Sequence, residues 1–298
     1  MTIRMTRRDF AALAGGLLVS PKAMAQADLP LITRPIPGSG EPLPVVGLGT
    51  AAVFDADDEP TRSQADAVLQ ALVKNGGRLI DTASTYGDAE SVLGEVIATA
   101  GLRDRLFIAT KLESPDADEL QRSLKRLKTT KLDLLQLHNV RSPQQSLERF
   151  RHWKEQGVCR YIGITSTYHR DFAAVEAVLK REKPDFVQID YSLDDREAEG
   201  SILPLAAEVK AAVLTALPYG RGRLFRAVHG KELPDWARVF ANSWGQFFLK
   251  YLLGDPRVTA VIPGTTDPGH MTDNAGAMRG PLPDPDQRRR MIEFVESL

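Results

Sequence analysis

Short apolar segments recur at a fairly even spacing along the chain from residue 45 onward. Between them, apolar residues fall on one face at helical spacing, as Leu120, Leu124 and Leu127 do. The alternation of the two patterns predicts an α/β protein. The apolar segments predict eight strands, at residues 45–48, 79–80, 106–109, 132–137, 161–164, 186–189, 213–217 and 258–262.

The number and order of these elements predict the fold. Eight strand–helix units, with one longer interval after Leu217, predict a closed (β/α)8 barrel of the TIM type. An open doubly wound sheet is the alternative, but residues 46–51 (VGLGTA) lack the third glycine of its dinucleotide-binding fingerprint. Apolar runs on either side of residues 38–41 (GSGE) predict a short β-hairpin ahead of the barrel. We expect a single domain over residues 28–298.

Local residues also indicate where some helices begin and end. Two Ser-Pro pairs, at residues 114–115 and 142–143, predict helix starts, because serine can cap a helix and proline suits its first position. Residues 75–77 (NGG) and Gly157 predict helix ends.

The first residues predict an export signal. Residues 6–10 (TRRDF) precede an uncharged run at 11–19, and residues 23–25 (AMA) offer small side chains at a cleavage spacing. This order is typical of a twin-arginine signal peptide, here residues 1–27; a short N-terminal helix of the fold is the alternative. We therefore expect recognition by the twin-arginine export machinery, a periplasmic protein and no stable membrane insertion.

Composition limits the partners. The 298 residues carry a formal net charge of −1, which argues against a nucleic-acid-binding protein. Cys159 is the single cysteine, so no disulfide can form within the chain. We therefore expect a small-molecule ligand, and the composition does not indicate an oligomeric state.

Candidate site residues are those that follow the predicted strands, because the carboxyl ends of barrel strands meet at one face. Asp81, Lys111 and His138 end three strands, and Tyr86 lies in the loop after Asp81. A phenol can donate its proton to an oxygen that gains negative charge; an ammonium group would stabilise the phenolate, and a carboxylate would keep that ammonium charged. An imidazole could orient a carbonyl oxygen. Each residue also has an ordinary structural interpretation, as a turn former, a strand-end lysine or a core histidine.

In these roles the four side chains can transfer and orient a proton, but none of them supplies a group that forms a new bond to the substrate carbon. None of the residues has the setting of a triad nucleophile, and no cluster of Cys and His has the spacing of a metal site. A hydride from a bound cofactor would supply the missing step.

Motifs over the whole mature chain resemble those of the aldo-keto reductase family. They are residues 43–50 (LPVVGLGT), 80–87 (IDTASTYG), 109–111 (ATK) and 133–138 (DLLQLH). The resemblance implies an NAD(P)H-dependent oxidoreductase that reduces an aldehyde or ketone to an alcohol. It also implies a catalytic tetrad of Asp81, Tyr86, Lys111 and His138, with Tyr86 as proton donor.

The same resemblance implies the cofactor site. Residues 187–191 (VQIDY) resemble the motif whose glutamine contacts nicotinamide, and residues 262–274 resemble the segment that binds the adenosine phosphate. Gly264 and His270 stand where the family often has a lysine and an arginine on the 2′-phosphate, so NADP is expected with NAD as the alternative. The implied cofactor-binding residues are Thr50, Asp81, Thr165, Ser166, Gln188, Leu217, Gly220, Arg221, Gly264, Thr265, His270, Asp273 and Asn274.

The expected substrate contacts are Tyr86, His138, Asn139 and Phe54. Asn139 follows His138 where bulky aromatic residues are common in the family, which implies a more polar pocket, and Phe54 would form one wall. Two other functions stay open. One is a lyase that uses Lys111 as a Schiff-base nucleophile, and the other is a nucleotide-binding barrel that acts as a sensor or scaffold with little turnover.

Overall fold

The structure, a computed structural model, describes residues 29–298 and confirms the predicted order of elements. The strands are β1 (Thr33–Pro35), β2 (Pro42–Pro44), β3 (Leu48–Gly49), β4 (Leu79–Asp81), β5 (Phe107–Leu112), β6 (Leu132–Leu137), β7 (Cys159–Ser166), β8 (Phe186–Asp190), β9 (Ala212–Ala216) and β10 (Ala260–Val261). The helices are α1 (Glu59–Lys74), α2 (Ala89–Ala100), α3 (Ala117–Arg126), α4 (Glu148–Glu155), α5 (Phe172–Glu182), α6 (Ile202–Val209), α7 (Arg223–Ala227), α8 (Trp244–Leu253), α9 (Pro268–Gly276) and α10 (Pro285–Glu296).

Strands β3 to β10 form one parallel sheet in sequence order, as predicted for a (β/α)8 barrel. Two parallel bridges, between residues 46 and 261 and between residues 49 and 264, join the first strand to the last. The Gly49 N–H donates to the carbonyl of Pro263 at 3.0 Å across this seam. The longer interval after β9 holds both α7 and α8.

The predicted hairpin, β1 paired antiparallel with β2, covers the amino-terminal end of the barrel. Its Ile36 and Leu43 pack in one buried cluster with the first residues of three barrel strands, Leu79, Phe107 and Phe186. Because this end is filled by apolar side chains, the opposite end is left for a binding site.

Alternation along the strands delivers polar side chains to that opposite end. Side chains two residues apart on a strand face the same side. Leu79, Ala109, Leu134 and Phe186 belong to the interior cluster. The residues two positions further on are therefore also inward-facing, and they are Asp81, Lys111, Gln136 and Gln188.

The two helix starts predicted from Ser-Pro pairs are wrong. Helix α3 begins at Ala117 with Asp116 as its cap, and α4 begins at Glu148 with no side-chain cap. The Ser142 hydroxyl instead serves a local turn, where it accepts from the Gln144 N–H at 3.4 Å. The predicted helix ends at Asn75 and Gly157 are confirmed. Among residues 29–298, no helix combines the length and apolar character that crossing a bilayer requires.

Candidate active site

A cavity of about 400 Å³ opens at the carboxyl ends of the barrel strands. Asp81, Tyr86 and His138 line it, and Lys111 lies buried directly behind Asp81 and Tyr86. Four residues from three segments of the chain therefore meet at one place.

Lys111 holds this group together. Its ammonium donates to Asp81 Oδ2 at 2.7 Å, to the Thr82 carbonyl at 2.8 Å and to the Tyr86 hydroxyl at 3.4 Å. The side chain is 1% exposed. Burial by itself lowers the pKa of Lys111, but the adjacent Asp81 carboxylate and Tyr86 outweigh it and raise the pKa above its usual value. The lysine is therefore a fixed positive charge beside the phenol.

A layer of amides lies on the other side of Asp81. Gln136 Nε2 donates to Asp81 Oδ1 at 3.2 Å and to Gln188 Oε1 at 2.8 Å, and Gln188 Nε2 donates to Asp81 Oδ2 at 3.1 Å. The sequence reasoning missed Gln136. Gln136 could have been found from its spacing, because it lies two residues after Leu134 and two before His138. That spacing places Gln136 on the inner face of β6.

His138 meets the edge of the Tyr86 ring, with the two ring centroids 5.7 Å apart. Its Nδ1 lies 2.5 Å from Glu113 Oε1 and 3.5 Å from the Thr85 hydroxyl. Burial lowers the pKa of His138, and the positive charge of Lys111 acts in the same direction. The imidazole is therefore neutral at pH 7. Glu113 was also missed, since it is an exposed residue two positions past the lysine.

A second cavity, of about 420 Å³, continues from the first. The two share Tyr219 and Gly264 in their walls, so together they form a trough that runs from the tetrad residues to the start of α9. Aromatic side chains line the far part, including Phe225, which is 42% exposed, and Trp244. A trough with polar groups at one end and aromatic faces at the other is suited to a dinucleotide.

A profile of the Aldo/keto reductase family matches residues 45–290, which is most of the chain. The chain belongs to the aldo/keto reductase family. This agrees with the tetrad geometry and with the barrel that carries it.

Relatives of this aldo/keto reductase have been found in several bacteria. Aldo-keto reductase YhdN from Bacillus subtilis (strain 168) is 30% identical over 198 residues, which cover 59% of this chain and 57% of the relative, so the chain spans just over half the length of that protein. Methylglyoxal reductase YeaE from Escherichia coli (strain K12) is 28% identical over 248 residues, or 79% of this chain and 86% of the relative. The crystal structure of an aldo-keto reductase from Klebsiella pneumoniae in complex with NADPH is 25% identical, with a TM-score of 0.76 over 90% of this chain and 96% of that one.

Most residues implied as cofactor contacts of this aldo/keto reductase line the trough. The first cavity is lined by Asp81, Thr165, Gln188, Leu217, Arg221 and Gly264. The second is lined by Gly264, Thr265, His270, Asp273 and Asn274. The substrate residue Asn139 lines the first cavity together with Tyr86 and His138.

Four other implied contacts, three for the cofactor and one for the substrate, are not among the residues that line the trough. Thr50 is buried and donates its hydroxyl to the Asp81 carbonyl at 3.1 Å, and Ser166 donates to Asp171 Oδ2 at 2.9 Å. Gly220 faces the carboxylate of Asp194 with a φ of 56°, so it shapes the loop after β9 from behind. Phe54 is buried in the core between strands and helices and does not line the cavity.

Two of the residues that line the far part of the trough already have partners within the protein. Asp273 accepts from the Ser243 hydroxyl at 2.6 Å and from Gln246 Nε2 at 2.9 Å, and Asn274 accepts from the Tyr219 hydroxyl. The sequence reasoning did not identify Ser243, which lies in the long interval after β9. In the sequence, only the unusual length of that interval indicated that it holds residues of the site.

The wall of the first cavity also contains strained backbone. Leu217 has a φ angle of 54°, in the left-handed region that non-glycine residues rarely adopt, and Asn139, a residue type that tolerates this region better, has a φ of 50°. Such strain concentrates at functional sites, where the surrounding structure fixes it. Thr167 and Tyr168, which the sequence reasoning missed, complete this part of the wall of the reductase cavity.

Proposed function

We propose that this aldo/keto reductase is an NADPH-dependent enzyme that reduces an aldehyde or ketone to an alcohol. The observation that carries the proposal is the contact of the Tyr86 hydroxyl with the buried Lys111–Asp81 pair at the wall of an open trough. This arrangement supplies a proton donor whose conjugate base is stabilised, which is what carbonyl reduction requires of the protein.

Each residue of the tetrad has a separate task in the proposal. The Tyr86 hydroxyl donates its proton to the carbonyl oxygen as that oxygen gains negative charge. The Lys111 ammonium, 3.4 Å away, stabilises the phenolate that is left. Asp81 keeps the ammonium charged and in place, and His138 lines the cavity where the carbonyl would lie.

The residues of the trough fit a nicotinamide dinucleotide. Gln188 presents an amide at the tetrad end, and Arg221 places a half-exposed guanidinium in the wall, 3.8 Å from its nearest carboxylate, Asp190. Phe225 and Trp244 offer aromatic faces at the far end. When bound there, NADPH supplies the hydride. The NADPH in the related Klebsiella pneumoniae structure supports NADP as the cofactor, and NAD is the alternative.

For the substrate we propose a small carbonyl compound. The related Escherichia coli protein is named a methylglyoxal reductase, and the first cavity, at about 400 Å³, has to accommodate the nicotinamide as well as the substrate. Polar wall residues such as Asn139 and Thr167 favour substrates that carry further oxygen atoms.

The two alternative functions have less support. A Schiff-base lyase needs a neutral, accessible amine, whereas Lys111 is buried, charged and already donates to three oxygens. A sensor with little turnover has no need of a complete tetrad, whereas all four residues meet at one cavity here.

The test is Tyr86→Phe, assayed as consumption of NADPH with a panel of small aldehydes and ketones. We expect a loss of roughly 10²- to 10⁴-fold in kcat with unchanged NADPH affinity, because only the proton donor is removed. Tyr161→Phe is the matched control, since that hydroxyl binds Ser39 and Glu41 at the opposite end of the barrel. Activity that survives in Tyr86→Phe would refute the assigned role.

Export to the periplasm remains a separate proposal, supported by the sequence alone. The predicted signal, residues 1–27, and its cleavage near Gln26 or Asp28 fall outside the described residues, as does the predicted domain boundary at residue 28. We propose that the barrel folds, takes up its cofactor and is then exported through the twin-arginine machinery. Replacing Arg7 and Arg8 by lysine should leave the protein in the cytoplasmic fraction, whereas Arg4→Lys should not. Periplasmic protein isolated without nucleotide would contradict loading before export.

A further inference from the structure

The Glu113 carboxylate occupies one of the two ring nitrogens of His138. Nδ1 lies 2.5 Å from Glu113 Oε1, and Nε2 has no partner among the described residues. His138 lines the first cavity, so Nε2 is the nitrogen left for a ligand there. Which ring nitrogen of a histidine carries hydrogen is set by the bond that the other nitrogen makes.

We propose that Glu113 is a positioning residue that decides whether Nε2 of His138 carries a hydrogen toward the substrate carbonyl. This inference rests on the proposed reductase function and adds a residue outside the tetrad. If Glu113 has this role, one added proton on the Glu113–His138 pair favours reduction of the carbonyl and disfavours the reverse oxidation of the alcohol.

The proton count on the pair gives two states. When Glu113 is ionised and His138 is neutral, the imidazole hydrogen is on Nδ1 and is donated to the carboxylate, so Nε2 has only a lone pair. Nε2 can then accept from an alcohol hydroxyl but cannot donate to a carbonyl oxygen. One further proton on the pair, on either the carboxyl group or the imidazole, places a hydrogen on Nε2, which then donates to the carbonyl.

The surroundings hold Glu113 against the ring. The Glu119 carboxylate of α3 accepts from the N–H of Glu113 at 3.0 Å and from the Ser84 hydroxyl at 2.6 Å. Ser84 is in the loop that carries Tyr86, and its carbonyl accepts from Arg126 at 3.0 Å. Glu119 therefore fixes the loop of Glu113 relative to the loop of Tyr86.

Charged groups on every side act on the pair. Lys111 from β5 and Arg141 from the loop after β6 disfavour an added proton on His138, whereas Glu119 from α3 favours one on Glu113. Tyr86 from the loop after β4 packs edge-on against the ring. Burial, followed by the charge of Glu119, raises the pKa of Glu113, while Arg141 and the Thr85 hydroxyl act in the opposite direction. On balance the Glu113 carboxyl group keeps its proton to a higher pH than an ordinary glutamate does.

The experiment compares pH profiles of kcat/KM in both directions for the wild type, Glu113→Gln and Glu113→Leu. In the wild type we expect kcat/KM for reduction to fall about tenfold or more as rising pH removes one proton from the pair, because the hydrogen-bond donor to the carbonyl is lost. Both variants should lack that ionisation, since neither has a carboxyl group at residue 113 that can gain or lose the proton. Glu208→Gln, an exposed change on α6, should keep the wild-type profile.

A spectroscopic measurement separates this inference from the proposed function. Long-range ¹H–¹⁵N spectra distinguish protonated from unprotonated ring nitrogens, and His138→Asn identifies its signals among the five histidines. Near pH 8 we expect hydrogen on Nδ1 in the wild type and a shift toward Nε2 in Glu113→Leu. An unchanged tautomer, or the same ionisation in all variants, would overturn the role of Glu113. Absence of reductase activity with an Nδ1–H tautomer would instead refute only the function.

Discussion

Replacement of Lys111 by methionine tests the electrostatic basis of the site. The ammonium is 3.4 Å from the Tyr86 hydroxyl and 2.7 Å from Asp81. Methionine has a similar length and no charge, so the variant removes the stabilisation of the phenolate and leaves the phenol in place. We expect kcat for carbonyl reduction to fall while the proton donor itself remains.

The distance sets the size of the effect. A full negative charge on the phenolate, 3.4 Å from the ammonium, interacts with it by about 5 kcal/mol at an effective dielectric constant of about 20. With about half of that charge developed in the transition state, the loss is about 2.5 kcal/mol, or roughly 70-fold in rate. The Asp81 carboxylate offsets part of the lysine charge, so we expect a fall of about 10- to 70-fold in kcat.

The same variant leaves Asp81 buried without its cation, which lowers the free energy of unfolding by about 3–5 kcal/mol. The double variant Asp81→Asn/Lys111→Met removes both charges and should recover most of that stability, yet remain as slow as the single variant. The assay combines kcat, NADPH affinity by fluorescence and thermal unfolding. A folded Lys111→Met protein with kcat within about threefold of wild type would refute the electrostatic argument, because the calculated effect is larger.

Three further changes test other parts of the trough. Gln136→Leu leaves two buried acceptors without a donor and should lower the unfolding free energy by about 1–3 kcal/mol, with weaker NADPH binding in fluorescence titrations. Gly264→Lys combined with His270→Arg should strengthen binding of NADPH relative to NADH by about tenfold or more; an unchanged ratio would place the 2′-phosphate elsewhere. Burial, followed by the charge of Asp195, raises the pKa of Asp190 to about 6 from 3.8, so the folded state binds that proton more tightly. Asp190 should therefore lower the unfolding free energy by up to about 3 kcal/mol between pH 4 and 6, measured in denaturant titrations as the difference between the wild type and Asp190→Asn.

The fold was predictable because barrel strands are buried on both faces and read as apolar runs. All eight predicted strands overlap observed ones, and residues 132–137 match β6 at both ends. The bounds are least accurate at the seam, where residues 45–47 are joined to β10 by bridges and single hydrogen bonds instead of a continuous ladder. That pairing depends on contacts more than 200 residues apart along the chain, which no local pattern encodes.

The site was predictable only in part, for a related reason. Asp81, Lys111 and His138 follow apolar runs, so the position of a polar residue at a strand end was enough to find them. Gln136 and Glu113 matter through the residues they touch on other elements, and those contacts exist only once the barrel is closed. Phe54 was predicted to contact the substrate, but its side chain packs in the core. Its backbone φ of 60° helps to direct the side chain there, and the sequence does not reveal that angle.

The far end of the trough, where the proposed cofactor would place its adenosine, is arranged differently from the tetrad end. Its carboxylates already serve the protein, since Asp273 binds Ser243 and Asp267 accepts from the first amides of α9, at Gly269 and His270. A 2′-phosphate placed there would compete with Asp267 for those donors and would gain no lysine at residue 264. The aromatic side chains at this end, of which Phe225 is exposed, would instead meet the adenine ring, which NADPH and NADH share, so they favour neither cofactor. We therefore expect a weak preference between the two cofactors in this chain, which two substitutions at this end should be enough to sharpen.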